Sequence, residues 1–396
     1  MTAATNPVRR AFPPSAVAAG LISVLVAVTS TAAIVFSAAT AAGATPAEVT
    51  SWMLAVCVGM GVTSIGLSLR YRAPIVTAWS TPGAALLAAS LNGVSMAQAV
   101  GAFVVSAALI TLTGLTGWFE RLMDRIPVPL ASGLLAGVLV HFGIDLFGEL
   151  ETSFAVVFPM LLAYLLARRW LARYAVLVAL AAGVLATAVT GTLRLDRVDL
   201  AFGTPVFTMP EFDWQVIISV ALPLYIVTMA SQNLPGVAVL RGDGYTDVPL
   251  SPVIGTTGVA NLVLAPFGCF GLNLAAITAA ICTGPQALED RSRRYLAAVW
   301  AGVFYLVVAV FAGTVGSLLG ALPEALIIGI SGLGLLATIS GSLTSALADE
   351  RWRESAVVTF LATASGVSLL GIGSAFWGLL AGVLTALITR RRKAAA

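Results

Sequence analysis

Long charge-free apolar stretches alternate with short charged loops along the whole chain, and their lengths set the architecture. A charge at mid-bilayer costs at least about 2.5–3.5 kcal/mol, so an uninterrupted run of about 20 apolar residues marks a membrane span. In the first half such runs cover residues 11–47, 49–69, 73–119, 126–144, 152–167 and 174–193. The third is long enough for two passes with a turn at Asn92-Gly93, which makes about seven spans. In the second half the runs are 214–240, 248–288, 295–323, 325–348 and 355–389. The second and the last need two passes each, again giving about seven. The predicted fold is an all-α polytopic membrane protein of about 14 transmembrane segments.

An even span count puts both termini on one side. With the N-terminus cytoplasmic, every one of the 21 Lys and Arg residues falls on the inner side except Arg194 and Arg197. A wrong count would swap the sides of all later loops and blur that asymmetry. The first run exceeds the apolar region of about 7–15 residues in a cleaved signal peptide, so it reads as a retained anchor. The longest polar stretch, 191–213, contains Pro205 and Pro210 and reads as a linker. The chain therefore divides into a first seven-span repeat, residues 1–193, an extracytoplasmic linker, 194–213, and a second seven-span repeat, 214–396. An odd number of spans per repeat gives the second one the opposite orientation, the inverted-repeat architecture common among secondary transporters.

Composition agrees: 59% of residues are hydrophobic and 10% charged, where a soluble domain carries about 25% charged residues. The three cysteines, Cys57, Cys269 and Cys282, all lie in apolar runs and imply no disulfide framework. A single histidine, His141, excludes a multi-histidine metal site, and no metal or other cofactor is called for. The net charge of +3 is too small, and the basic residues too scattered, for nucleic-acid binding.

In inverted-repeat folds the substrate sits where spans are broken by Gly or Pro, because freed amides at a half-helix N-terminus bind an anion. The third span of the first half contains Pro74, then Thr77-Ala78-Trp79, then Ser80-Thr81-Pro82-Gly83. It predicts a short extended entry and a half-helix capped by Ser80 or Thr81 with proline in its first turn. The third span of the second half, span 10 overall, runs Pro266-Phe267-Gly268-Cys269-Phe270-Gly271-Leu272-Asn273 before it becomes helical near Thr278. Gly and Pro also serve packing in membrane helices; their matching places in the two halves favour a site. Gly133/Gly137 and Gly316/Gly320 are assigned to close packing only.

Span 8 ends in Tyr225, Thr228, Ser231-Gln232-Asn233 and Pro235-Gly236. Adjacent amides in lipid need partners, from a ligand or from neighbouring helices. Thr29-Ser30-Thr31 is the weaker counterpart in span 1. No Asp, Glu, Lys or Arg lies inside a site-forming span, so a cation would find no counter-charge. An anion would be held by two helix N-termini and neutral donors such as Gln232 and Asn273, with Tyr225 and Phe270 beside a flat apolar body.

At these motifs the chain resembles the benzoate/proton symporter, or BenE, family. The resemblance covers essentially the whole sequence and is most specific at Pro223 through Gly236 and Asn273 through Cys282. It implies uptake of benzoate or a related aromatic carboxylate with protons across a bacterial inner membrane. It also implies the fold of uracil, bicarbonate and sulfate transporters, in which a core domain moves against a gate domain. The substrate-binding residues it selects are Thr29, Ser80, Thr81, Tyr225, Ser231, Gln232, Asn233, Cys269, Phe270, Gly271 and Asn273. Family members commonly carry a histidine where this chain has Phe270; His141, near the outer end of the fifth span, reads as a packing or interfacial residue and not a substitute, so the proton route stays open among Asp145, Glu324 and the substrate carboxylate itself.

Two other function classes compete with a secondary transporter that is no enzyme. A passive facilitator or channel for small anions would never concentrate its substrate. An intramembrane serine protease would use Ser331 within Gly329-Ile330-Ser331-Gly332, but its base would have to be His141, and nothing in the sequence pairs the two. Composition leaves monomer and homodimer equally open.

Overall fold

The computed structural model describes residues 13–118, 127–170, 174–193, 200–370 and 372–393. Of the basic residues used above for orientation, Arg9, Arg10, Arg121, Arg125, Arg173, Arg194 and Arg197 lie outside the described residues, as does the first part of the linker. The first half contains α1 (Pro14–Ala41), α2 (Pro46–Tyr71), β1 (Thr77–Ala78), α3 (Thr81–Ser90), α4 (Met96–Leu115), α5 (Val128–Thr152), α6 (Phe154–Trp170) and α7 (Ala175–Val189). The second contains α8 (Trp214–Gly242), α9 (Leu250–Leu264), β2 (Asn273–Leu274), α10 (Ile277–Thr283), α11 (Tyr295–Val310), α12 (Ala312–Ala321), α13 (Glu324–Leu347), α14 (Arg353–Ala364) and α15 (Ser374–Lys393).

Local chemistry fixes the boundaries. Thr45 and Glu48 form a capping box that starts α2 behind Pro46, and Ser95 and Gln98 form another that starts α4. Between α3 and α4 the chain turns at Gly93, with φ +81°, where the sequence places its Asn92-Gly93 turn. Among the described residues, seven helices are long and apolar enough to cross a membrane, and eight if the two parts of α1, bent by 42° between Thr29 and Thr31, count as one. The apolar run 295–323 does not stay one helix: it breaks at Phe311 (ψ 24°) into α11 and α12.

The helices sort into two bundles. In the first, α11 packs along α1 and α2, α9 along α4, and α3 against α1. In the second, α13 and α14 pack on α5, α15 on α14, and α6 on α7. Gly133 and Gly137 permit that closeness, since a Cβ on either would fall 2.6–2.7 Å from the carbonyl oxygens of Ala356 and Phe360 on α14. Helix α8 belongs to the first bundle and touches α5 and α15 of the second. The described part of the linker lies across the first bundle, with backbone bonds from Gly203 to Val310, Thr208 to Pro266 and Glu211 to Ala97 at 2.8–2.9 Å.

Candidate functional site

Two broken segments meet at the centre of the first bundle. β1 and β2 pair antiparallel, Thr77 opposite Leu274 and Ala78 opposite Asn273, and the Ala275 amide donates to Val76 O at 2.9 Å. Each strand leads into a short helix, α3 or α10. Backbone this irregular inside a membrane protein needs partners from its surroundings. For the segment around β1 they come from α2: Ser68 Oγ bonds both the amide and the carbonyl of Ile75, and Ser64 Oγ accepts the Thr77 amide at 3.0 Å. Thr77 Oγ1 reaches Thr63 Oγ1, Ser64 Oγ and Met60 O at 2.7–3.0 Å. Trp79 donates through Nε1 to Thr31 Oγ1 of α1 at 2.9 Å.

Ser80 is the cap of α3 and accepts the Gly83 amide at 3.0 Å, with Pro82 in the first turn as the sequence predicts. Helix α10 is shorter, begins at Ile277 and has no side-chain cap. Gly271 takes φ +53°, and a Cβ there would meet Ser80 Cβ at 2.9 Å and Thr228 Oγ1 at 3.3 Å. Only glycine lets the β2 approach come this close to α3 and α8.

Helix α8 supplies the third wall and is interrupted twice by π-helical turns, Ile217–Ala221 and Met229–Asn233. The cause is local. Pro223 and Pro235 have no N–H for the carbonyls of Ser219 and Ser231 four residues earlier, so the helix widens before each. Asn233 Oδ1 accepts the Leu274 amide at 2.9 Å, and its Nδ2 donates to Met229 Sδ at 3.2 Å.

The structure thus gathers Ser80, Asn233, Gly271 and Asn273 at one crossing, together with Thr228, a span 8 residue with no role predicted from the sequence. Thr81 and Gln232 are half-buried beside it. The remaining predicted residues are engaged elsewhere. Thr29 Oγ1 bonds Leu25 O within its own helix, and Ser231 Oγ bonds Val227 O. Tyr225 turns to Thr113 of α4 at 2.7 Å. Cys269 and Phe270 are fully buried, and the Phe270 ring is enclosed by Trp52 and Phe103 at centroid distances of 5.7 and 6.0 Å. At the crossing itself, Thr228 Oγ1 and Asn273 Oδ1 are buried without a hydrogen-bond partner, while Asn273 Nδ2 donates to Gly271 O at 2.8 Å.

Two cavities lie between the bundles toward the linker end. The larger, about 740 Å³, is bordered by Asn92, Gln98, His141, Asp145, Gln215 and Ser219. The smaller, about 260 Å³, shares His141 and Asp145 with it and adds Ser331. None of the predicted substrate-binding residues lines either cavity, whereas Asp145, a possible proton-coupling group in the sequence, lines both. Ser219 enters the larger one from the first π-turn of α8, a feature with no signal in the sequence beyond Pro223.

Residues 10–388 match the family described as BenE, benzoate membrane transport protein. The chain is 47% identical to the inner membrane protein YdcO of Escherichia coli (strain K12) over 94% of its own length and 95% of that protein. It is 38% identical to the benzoate membrane transport protein of Acinetobacter baylyi over the full length of both. Among solved structures, the transmembrane domain of the cyanobacterial bicarbonate transporter BicA aligns at TM-score 0.59 and 14% identity, covering 93% of this chain and 95% of that one. The anion transporter relative SLC26A9 aligns at TM-score 0.63 and 14% identity, covering 96% of this chain and 65% of that one. The arrangement of helices is therefore the one those transporters share.

Proposed function

The chain belongs to the BenE family of benzoate membrane transport proteins, and on that premise we propose that it imports benzoate or a related aromatic carboxylate with protons by alternating access. As a membrane transporter it does no covalent chemistry; it has to recognise a solute and change the side to which the site opens. The observation that carries the reading is the pair of buried, unpartnered oxygens at the crossing, Thr228 Oγ1 and Asn273 Oδ1. A buried polar atom without a partner costs about 1–3 kcal/mol, which a ligand repays.

Their chemistry is complementary to a carboxyl group. The Thr228 hydroxyl donates to the carbonyl oxygen of the substrate, and Asn273 Oδ1 accepts from a protonated carboxyl O–H. The N-terminal end of α3 favours partial negative charge on the same group. On this reading the proton rides on the substrate, which removes the need for a titrating side chain at the position of Phe270. Ser80, Thr81, Gln232 and Gly271 surround the carboxyl position, and Asn233 holds β2 in place.

The first bundle acts as the core that carries the site, and the second as the gate. The two repeats, residues 1–193 and 214–396, place the termini in the cytoplasm and the linker outside, so the larger cavity is the outer vestibule. Uptake of labelled benzoate into proteoliposomes, with and without an inward proton gradient, tests the proposal. Accumulation above equilibrium that an uncoupler abolishes supports symport; equilibration alone identifies a passive facilitator; no protein-dependent flux rejects the substrate.

A further inference from the structure

We propose that the smaller chamber is a second binding site for a single-ring aromatic carboxylic acid, separate from the crossing at Gly271 and placed between vestibule and core. The inference rests on the substrate class proposed above and adds a station to its route. The chamber holds about 260 Å³, whereas an apolar cavity of about 150 Å³ suffices to take up benzene. Its apolar wall is Phe142 of α5 with Ile327 and Ile328 of α13, a surface suited to a ring.

Its polar groups are few and converge. Ser331, which lines the chamber, is 3% exposed, and its buried Oγ has no hydrogen-bond partner. His141 Nε2 stands 2.8 Å from Ala364 O at the end of α14. A carbonyl only accepts, so Nε2 carries the hydrogen and Nδ1 is the nitrogen left to meet a ligand. Asp145 follows one turn later on α5 and lines the same chamber; the residues that α1, α3 and α13 contribute to it carry no charge. Asp213 is the further carboxylate of the adjoining vestibule. His141 Nδ1 accepts from the O–H of the protonated carboxyl group, the same form of the solute proposed for the crossing, and Ser331 Oγ–H donates to its carbonyl oxygen.

The walls come from both bundles: Ser37 and Ala88 stand on the core side, and α5 and α13 on the gate side. A bound ring therefore bridges the surfaces that must slide, so filling the chamber slows transport. High substrate concentration is expected to inhibit its own uptake.

Equilibrium dialysis of radiolabelled benzoate against the purified full chain in detergent measures the number of sites. The wild type is expected to bind two equivalents. Ile328→Trp, which fills the chamber, and His141→Gln, which removes Nδ1, are each expected to abolish that site and leave the other unchanged. If Ile328→Trp does not fold, His141→Gln carries the test alone. Two equivalents in folded His141→Gln with wild-type affinity, or a single equivalent in the wild type that Asn273→Leu abolishes, would overturn the second site and leave the transport proposal standing. No saturable binding by folded wild type would overturn both.

Discussion

The side-chain oxygen of Asn233 accepts the backbone N–H of Leu274 at 2.9 Å, tying the second π-turn of α8 to β2. Gly236, one turn later, lies against the same residue: a Cβ there would fall 2.6 Å from Leu274 Cβ. Helix α8 is thus clasped to the strand at two successive points, one polar and one steric. An amide that holds backbone in this way positions the site without having to touch the solute.

Asn233→Ala leaves the Leu274 amide buried and unpaired, which costs about 1–3 kcal/mol. The expected result is a lower thermal midpoint in detergent together with weaker benzoate binding. Ser231→Ala is the control. Its hydroxyl bonds Val227 O within the same helix, so stability should stay within about 0.5 kcal/mol of wild type. Equal midpoints for the two variants would mean that the clasp contributes nothing.

Gly271→Ala combines two penalties. The left-handed conformation costs a side-chain-bearing residue about 1–2 kcal/mol, and the new methyl meets Ser80 Cβ at 2.9 Å. Because Ser80 caps α3, the displacement passes directly to the helix that flanks the site, and benzoate affinity is expected to fall at least about tenfold, or about 1.4 kcal/mol. Gly93→Ala separates strain from crowding. Gly93 also has positive φ but nothing within 4 Å of its would-be Cβ, so that variant should lose stability and keep affinity. Titration of both by tryptophan fluorescence gives the comparison.

Much of this arrangement is legible in the sequence because it depends on residues with narrow backbone preferences. Pro74 and Pro82 bracket an extended entry and a helix start, and the glycines before Asn273 mark the other break. The crossing could be located from them, and the cap narrowed to Ser80 or Thr81, of which the fold uses Ser80. Side-chain direction could not. Thr29 and Thr31 are two residues apart on a helix and face different ways, and Thr31 is the one that reaches Trp79. Phe270 reads as a substrate-facing aromatic but turns into a cluster with Trp52 and Phe103, partners remote in the chain. The π-turns of α8 widen the helix without changing its composition, so the placing of Ser219 and Thr228 follows from the folded structure alone. His141 likewise gains its setting from Ala364, 223 residues away.

The bonds that hold β1 to α2 predict a stability effect outside the solute pocket. Thr77 Oγ1 joins Thr63 Oγ1, Ser64 Oγ and Met60 O, and Thr77→Val keeps the shape while removing the hydroxyl. Partners left unsatisfied in a dry interior should cost about 1–3 kcal/mol, read as a lower thermal midpoint. Thr77→Ser retains the hydroxyl and is expected to restore most of the loss. If valine and serine behave alike, the network is incidental.

Thr228→Val and Asn273→Leu test the proposed carboxyl site by opposing signs. In the absence of solute Thr228 Oγ1 and Asn273 Oδ1 are buried and unpartnered, so each is a liability to the folded state that an apolar replacement of similar shape relieves. Thr228→Val is therefore expected to keep or raise the thermal midpoint of the solute-free protein. With benzoate the order reverses: losing one hydrogen bond to the carboxyl should weaken binding about tenfold, corresponding to about 1.4 kcal/mol, and should remove the stabilisation that ligand gives the wild type. Asn273→Leu also removes the bond from Nδ2 to Gly271 O, so it should lose affinity with less gain in stability. A merely structural role would lower the midpoint in both variants and leave the ligand-induced shift intact. That outcome, in paired melts with and without benzoate, would exclude these two oxygens from the site.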